Sequence, residues 1–361
     1  MLPSYKLRPF APLAESNMSD SKVLLTGATG FLGRHIIASL TERNAKVVAL
    51  VRRRSEWNRQ DWTAPYPTVD LIEGGITGSE GWTGDRRLLG TTGIIHTAAI
   101  VRHSRRSPED IYETNVEGTL RMVRLAAKLG ARLVFVSTAG TVACFRSPAQ
   151  RADEDADYVD RVVRDWPYYD SKVKAERAAR ALATQLGVQL TIIRPPILLG
   201  PGDHRFRSTS YVLKFLRKKF PFVIEGGMSF IDVRDAAPAI VAALDHPAAR
   251  PVYHLDGENV TVPEFFELCR QVSGVAAPAR VMPYGTAHAL AKTVESAAHL
   301  LGKHSPLPDP VVIEMGSHYW GIKSRYSGPE LGYQPRPGRQ TLADTVAWLR
   351  ANHPALQGKG V

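Results

Sequence analysis

The chain has 361 residues, 44% hydrophobic and 22% charged, a composition that excludes disordered, collagen-like and low-complexity chains. Lys and Arg outnumber Asp and Glu by 46 to 35, a net charge of +11. The basic residues stand in short separate clusters (52–54, 86–87, 102–106, 214–219) with no zinc-finger spacing and no RNP-like aromatic motif, so they read as solvated faces plus a phosphate contact, with no nucleic-acid partner.

Residues 1–20, with Pro3, Pro9 and Pro12 and no apolar h-region, read as a disordered leader, with Met18 an alternative start. From Lys22 a rhythm begins. Short apolar runs at 23–26, 46–51, 69–73, 94–97, 133–137 and 190–194 predict strands. Helical spacing follows the first run (Leu32, Ile36, Ile37, Leu40) and recurs over 109–129 and 172–186. Continuous apolar strands alternating with amphipathic helices predict an α/β fold, a doubly wound parallel sheet of the Rossmann kind covered on both faces.

After Pro195-Pro196 the rhythm loosens into a turn at 200–203 and a short basic helix over 211–219. A helix over 231–244 and a strand over 252–256 return to the first domain, and 288–301 reads as an amphipathic lid or core helix. The expected organisation is a dinucleotide-binding domain (21–197 with 229–257), a smaller C-terminal substrate lobe (198–228 with 258–340), and a C-terminal helix and tail (341–361). No run of about 18 apolar residues is present, so no integral membrane segment is expected. Cys144 and Cys269 stand far apart, which excludes a disulfide framework or thiolate zinc site and suits a reducing, cytoplasmic compartment.

Thr26-Gly27-Ala28-Thr29-Gly30-Phe31-Leu32-Gly33 falls between the first strand and the first helix with GxxGxxG spacing. Glycine is needed where the backbone turns sharply, where it approaches a pyrophosphate and where helix meets strand, and the helix N-terminus offers free N–H groups to the phosphates. This predicts dinucleotide binding. At the end of the second strand an acidic residue would hold an NAD ribose; Val51 is followed instead by Arg52-Arg53-Arg54. A guanidinium grips a 2′-phosphate, so NADP is favoured, through Arg52 first and Arg53 second, with NAD the alternative.

Tyr168 and Lys172 stand four apart and share one face of a helix. A phenol near pKa 10 is a poor acid–base group at neutral pH, and a neighbouring ammonium is expected to lower it. Ser137 and Thr138 end the 133–137 strand, where ligands of open α/β sheets sit, so one of these hydroxyls is expected to donate to a substrate oxygen.

These residues carry a resemblance. TGATGFLG from Thr26, HTAA from His96, NVEGT from Asn115, VSTAG from Val136, YYDSK from Tyr168, RPPILLGPGD from Arg194, FIDVRDAA from Phe230 and ELGYQPR from Glu330 are similar to the motifs of extended short-chain dehydrogenase/reductases, nearest the dihydroflavonol reductase-like and 3β-hydroxysteroid dehydrogenase-like members. The resemblance implies that Thr138 binds the substrate oxygen and Tyr168 exchanges its proton. It implies that Lys172 holds the ribose and depresses the tyrosine pKa, while Asn115 supports the lysine through a water. It implies a cofactor set of Gly27, Thr29, Gly30, Phe31, Leu32, Gly33, Arg52, Arg53, Ile76, Thr97, Ala98, Ala99, Tyr168, Lys172, Pro195 and Ile197, and a homodimer through the 109–129 and 172–186 helices.

Two departures matter. Gly75 stands where many members carry an aspartate that contacts adenine, leaving that contact missing or to the Ile76 backbone. Ala139-Gly140 stand where sugar dehydratases of the family carry Asp-Glu, which disfavours elimination.

The expected activity is hydride transfer between NADP and a small, mostly apolar ketone, aldehyde or secondary alcohol. One alternative is a nucleotide-sugar epimerase that holds its diphosphate with Arg205, Arg207, Lys214 and Arg325. Another is a non-catalytic NADP-sensing protein, against which the intact Tyr168 and Lys172 argue. His103 and His204 fall on loops and read as solvated, and no metal-ligand spacing is present.

Overall fold

The computed structural model describes residues 18–357 except 59, 221, 279, 301–306 and 308; residues 1–17 of the expected leader lie outside the described residues. Its strands in chain order are β1 (Lys22–Thr26), β2 (Lys46–Val51), β3 (Asp70–Glu73), β4 (Gly93–His96), β5 (Arg132–Val136), β6 (Leu190–Arg194), β7 (Ile197–Leu199), β8 (Val223–Ile224), β9 (Gly227–Asp232), β10 (Val252–His254), β11 (Glu258–Thr261) and β12 (Val281–Met282).

Seven of them form one parallel sheet in the order β10-β6-β5-β4-β1-β2-β3. The order reverses between β1 and β4, which opens the crevice where ligands of such sheets bind. The continuous apolar runs have a direct cause, because successive side chains of one strand enter different cores. Val23 and Leu25 pack with Ile36, Ile37 and Leu40 of the Phe31–Glu42 helix and with Ile240 and Leu244 of the Val233–Asp245 helix. Leu24, Ile94 and Leu133 pack on the opposite face with Met122, Val123 and Ala126 of the Gly118–Leu129 helix and Ala179 and Ala183 of the Pro167–Leu186 helix. Packing reaches back to Met18, buried in the first of these cores.

A second group of elements follows Arg194. β7, β9 and β11 form a three-stranded sheet, and β8 pairs β12. Their apolar cluster joins Val212, Phe215 and Leu216 of the Ser210–Leu216 helix, Phe265, Phe266 and Cys269 of the Val262–Ser273 helix, and Leu342, Val346 and Leu349 of the Gly338–Asn352 helix.

Several expected elements change their bounds. The helix expected over 109–129 is interrupted by a π-turn at Glu113–Glu117. The helix expected from 231 starts at Val233, because Asp232 caps it by accepting from the Arg234 N–H. The amphipathic stretch is the Tyr284–Leu300 helix. It buries Ala287 and Ala291 against Ile313, while Leu290 stays exposed, so small residues and not leucines make that contact.

Candidate active site

β1 runs into Gly27 in the left-handed region (φ 73°). A Cβ there would lie 2.4 Å from Thr97 Oγ1 and 2.9 Å from the Ala98 nitrogen, the residues that follow β4. That close approach is locked by Thr97 Oγ1 donating to Thr26 O at 2.8 Å and Ala98 N–H donating to Thr26 Oγ1 at 3.3 Å; Ala99 follows on the same loop. A Cβ on Gly33 would lie 2.2 Å from Gly27 O, so the third glycine serves the helix–turn packing. Gly30 is the N-cap of the Phe31–Glu42 helix and supplies no side-chain acceptor, which leaves the first-turn N–H groups of Phe31 and Leu32 uncapped. The turn therefore presents uncapped donors on a glycine surface, and these residues fit a pyrophosphate. Thr29, on the same turn, accepts a hydrogen bond from Arg205 at 3.3 Å.

Arg52 and Arg53 stand at the end of β2 with side chains 71% and 70% exposed, each paired with Glu56, at 3.7 and 3.3 Å. Such exposed i,i+3 and i,i+4 pairs contribute little and exchange readily for a phosphate. Beyond β3 the double glycine has a packing cause. The Trp82 ring lies 2.5 Å from where a Gly74 Cβ would stand, and its indole N–H donates to Gly75 O at 2.8 Å. The Ile76 carbonyl is taken by Arg121 Nη1 at 2.9 Å.

The Pro167–Leu186 helix begins with proline in its first turn and places Tyr168 and Lys172 one turn apart. Tyr168 neighbours Thr138, which caps the short turn after β5 and accepts from Gly140 N–H. Pro195 O accepts from Ala139 N–H at 2.8 Å, and Ile197 opens β7 opposite Phe230, so the segment after β6 backs this turn. Burial pushes the Tyr168 phenol up to about 12, with the neighbouring Thr138 hydroxyl opposing. Lys172 donates from Nζ to Val136 O at 3.0 Å and lies 4.5 Å above the Phe135 ring; burial lowers it to about 8, with the Glu176 carboxylate opposing. In this arrangement the Lys172 ammonium is drawn to the end of β5, and desolvation dominates the phenol.

Asn115 sits in the π-turn, a distortion common at functional sites. Its amide donates to Ile100 O (3.0 Å) and Ser171 Oγ (2.9 Å) and accepts from Ile100 N–H (2.8 Å), while Ser171 Oγ donates to Tyr168 O (2.7 Å). Asn115 thus ties the loop after β4 to the helical turn between Tyr168 and Lys172.

His103, read as solvated, is instead part of the site. Its ring stands edge-on to Tyr168 (5.4 Å) and stacks on Tyr169 (5.7 Å), and its Nδ1 is buried without a partner. Burial lowers it to about 4, so it is neutral at pH 7. Trp320 stacks on the other side of Tyr169 at 4.7 Å. The Tyr169 ring lies 2.2 Å from where a Gly140 Cβ would stand, so the position that carries Glu in sugar dehydratases is closed here. The signal for His103 was its place beyond a strand's carboxyl end; Trp320, far off in sequence, carried none.

The basic residues offered for a sugar diphosphate do not converge. Arg325 is paired with Asp153 and Asp155, Arg205 reaches the glycine turn, and Lys214 is exposed. A cavity of about 240 Å³ opens beside Trp320, lined also by Met228, Asn259 and Tyr319. Among the described residues there is no metal-binding cluster, and no helix is long and apolar enough to cross a membrane.

A model of the NAD dependent epimerase/dehydratase family matches residues 23–255. A Synechocystis sp. protein described as a candidate dihydroflavonol 4-reductase is 29% identical over 91% of this chain and 94% of its own. A Vibrio cholerae UDP-glucose 4-epimerase is 30% identical over 67% of this chain and 73% of its own. The crystal structure of gox2253 superposes with a TM-score of 0.77 at 26% identity, covering 92% of this chain and 99% of that one. With the glycine turn and the Thr138–Tyr168–Lys172 face in place on this sheet, the chain belongs to the NAD dependent epimerase/dehydratase family, and is an enzyme of the extended short-chain dehydrogenase/reductase type.

Proposed function

We propose that the chain is an NADP-dependent oxidoreductase that interconverts a small, mostly apolar ketone or aldehyde and its alcohol. The observation that carries this is the neighbouring Thr138 and Tyr168 at the carboxyl end of β5, faced by the rings of His103 and Tyr169. The bound cofactor would supply or accept the hydride. Gly27, Gly30, Gly33 and the first-turn N–H groups would hold its pyrophosphate, and Arg52 and Arg53 its 2′-phosphate.

In the reducing direction Thr138 Oγ1 orients the substrate oxygen, and Tyr168 Oη gives that oxygen its proton as negative charge develops there. Lys172 has three N–H donors and spends one on Val136 O, so two remain for a ribose and for the phenolate side of the site. The aromatic lining favours an apolar substrate body, and the scattered arginines weigh against a sugar diphosphate.

The test is oxidation of NADPH by the purified protein across a panel of ketones and aldehydes. Activity is expected, with kcat lowered at least about 100-fold by Tyr168→Phe while NADPH affinity is unchanged. In the same experiment Arg52→Ala should weaken NADPH and leave NADH as before. A silent panel, or an undiminished Tyr168→Phe enzyme, overturns the reading.

A further inference from the structure

The loop over residues 200–209 crosses from the second group of elements to the first helix, and both its flanks are pinned. On one flank Arg34 Nη1 donates to Gly202 O at 3.1 Å, and His35 Nε2 lies 3.1 Å from Pro201 O. Gly202 is left-handed (φ 102°), and a Cβ there would stand 2.9 Å from the Arg34 guanidinium, so no side chain fits. On the other flank His204 and Phe206 pack against Trp348, at 5.5 and 5.6 Å between ring centres. The buried Asp203 carboxylate accepts from Thr209 N–H (2.9 Å) and Thr209 Oγ1 (3.1 Å), which closes the loop on itself.

Arg205, between the two residues that face Trp348, extends to the glycine turn, where its Nη2 donates to Thr29 Oγ1 at 3.3 Å. That acceptor is a neutral hydroxyl. Among the described residues no carboxylate lies within 4.0 Å of the Arg205 guanidinium, nor of Arg34 beneath it. A guanidinium without counter-charge thus reaches an uncapped helix N-terminus on a glycine surface. Each of these features favours an anion, and a pyrophosphate offers charge-assisted bonds that a threonine hydroxyl does not.

We propose that Arg205 is a cofactor-binding residue supplied from the second lobe, whose guanidinium exchanges Thr29 for the pyrophosphate of the bound dinucleotide. Loop 200–209, already pinned to the first domain by Arg34 and His35, then gains a charge-assisted contact to it through the bound cofactor. The proposal rests on the dinucleotide reading above and adds to it a residue that no turn motif contains. The diphosphate of a sugar nucleotide has the same chemistry, and the experiment separates the two sources.

The full chain and Arg205→Gln are titrated calorimetrically with NADPH, NADH, ADP-ribose, 2′-AMP and UDP-glucose. Arg205 is exposed, so the variant should keep its melting temperature. NADPH, NADH and ADP-ribose should each bind about tenfold more weakly, the size of one partly solvated charge-assisted bond, while 2′-AMP, which lacks the diphosphate, is unchanged. Arg205→Lys should recover part of the loss. NADPH should also slow amide exchange over 200–209 in the parent and not in Arg205→Gln. Unchanged affinity for the three diphosphates, an equal loss for 2′-AMP, or a loss confined to UDP-glucose overturns the proposal. If the unsubstituted chain binds no dinucleotide, the dinucleotide reading falls and the proposal falls with it.

Discussion

Tyr168 and Lys172 carry opposite shifts for one cause. Burial disfavours whichever form is charged, so it raises the phenol to about 12 and lowers the ammonium to about 8. The lysine has a stability signature. Its proton is held less tightly in the folded chain than in the unfolded one, where it titrates near 10.4. Between those values the unfolded chain binds more protons, and stability rises with pH. The stability of the wild type relative to Lys172→Met should therefore climb from pH 8 to pH 10 in chemical denaturation. A flat difference would mean that the ammonium sits in water-like surroundings. His103 belongs to the same scale: an imidazole held neutral by burial is a hydrogen-bonding group beside the phenol, and not a charge competing with it.

The turn after β5 decides what the helix beneath it can do. Thr138 caps this turn, and Gly140 lies under the Tyr169 ring, with Trp320 3.2 Å from where its Cβ would stand. Tyr169 and Tyr168 are consecutive on one helix, so a side chain at 140 pushes on both. Gly140→Ala should lower stability by about 1–3 kcal/mol, the usual cost of overpacking. It should cut kcat at least about tenfold and leave NADPH affinity unchanged, since the glycine turn lies elsewhere. Thermal melts and steady-state kinetics on one preparation check this, and an unchanged kcat would separate Tyr169 from the chemistry. The π-turn acts at the same scale by aiming Asn115 at Ile100 and Ser171.

Covering both faces of a seven-stranded sheet buries histidines as well as apolar side chains. His96 ends β4 with Nδ1 2.7 Å from Thr26 Oγ1, stacks on Phe135, and is lowered by burial to about 3. His35, under the 200–209 loop, is lowered by burial to about 3, and His254 by burial to about 4. Each binds its proton less tightly folded than unfolded. Below the unfolded value near 6.5 the unfolded chain takes up more protons, and stability is lost as pH falls through 6 toward 4. The melting temperature should drop steeply over that window, and His96→Asn should make the fall shallower. Equal slopes for the two proteins would remove His96 from the account.

Much of this protein was legible along the chain. Strand and helix periods, the glycine spacing and the four-residue step from Tyr168 to Lys172 are local patterns, and local backbone geometry reads them directly; six predicted strands stand within a residue of their observed ends. The pairing of Arg52 and Arg53 with Glu56 was not read there, although its three- and four-residue spacing is equally local. Tertiary structure alone decided the rest. It turned Lys172 toward Val136 O, brought His103 onto Tyr168, set Trp320 across Tyr169 and carried Arg205 over 176 positions to Thr29. Desolvation and contact between distant segments depend on which surfaces the packed layers bring together, and no periodicity within a single segment encodes that.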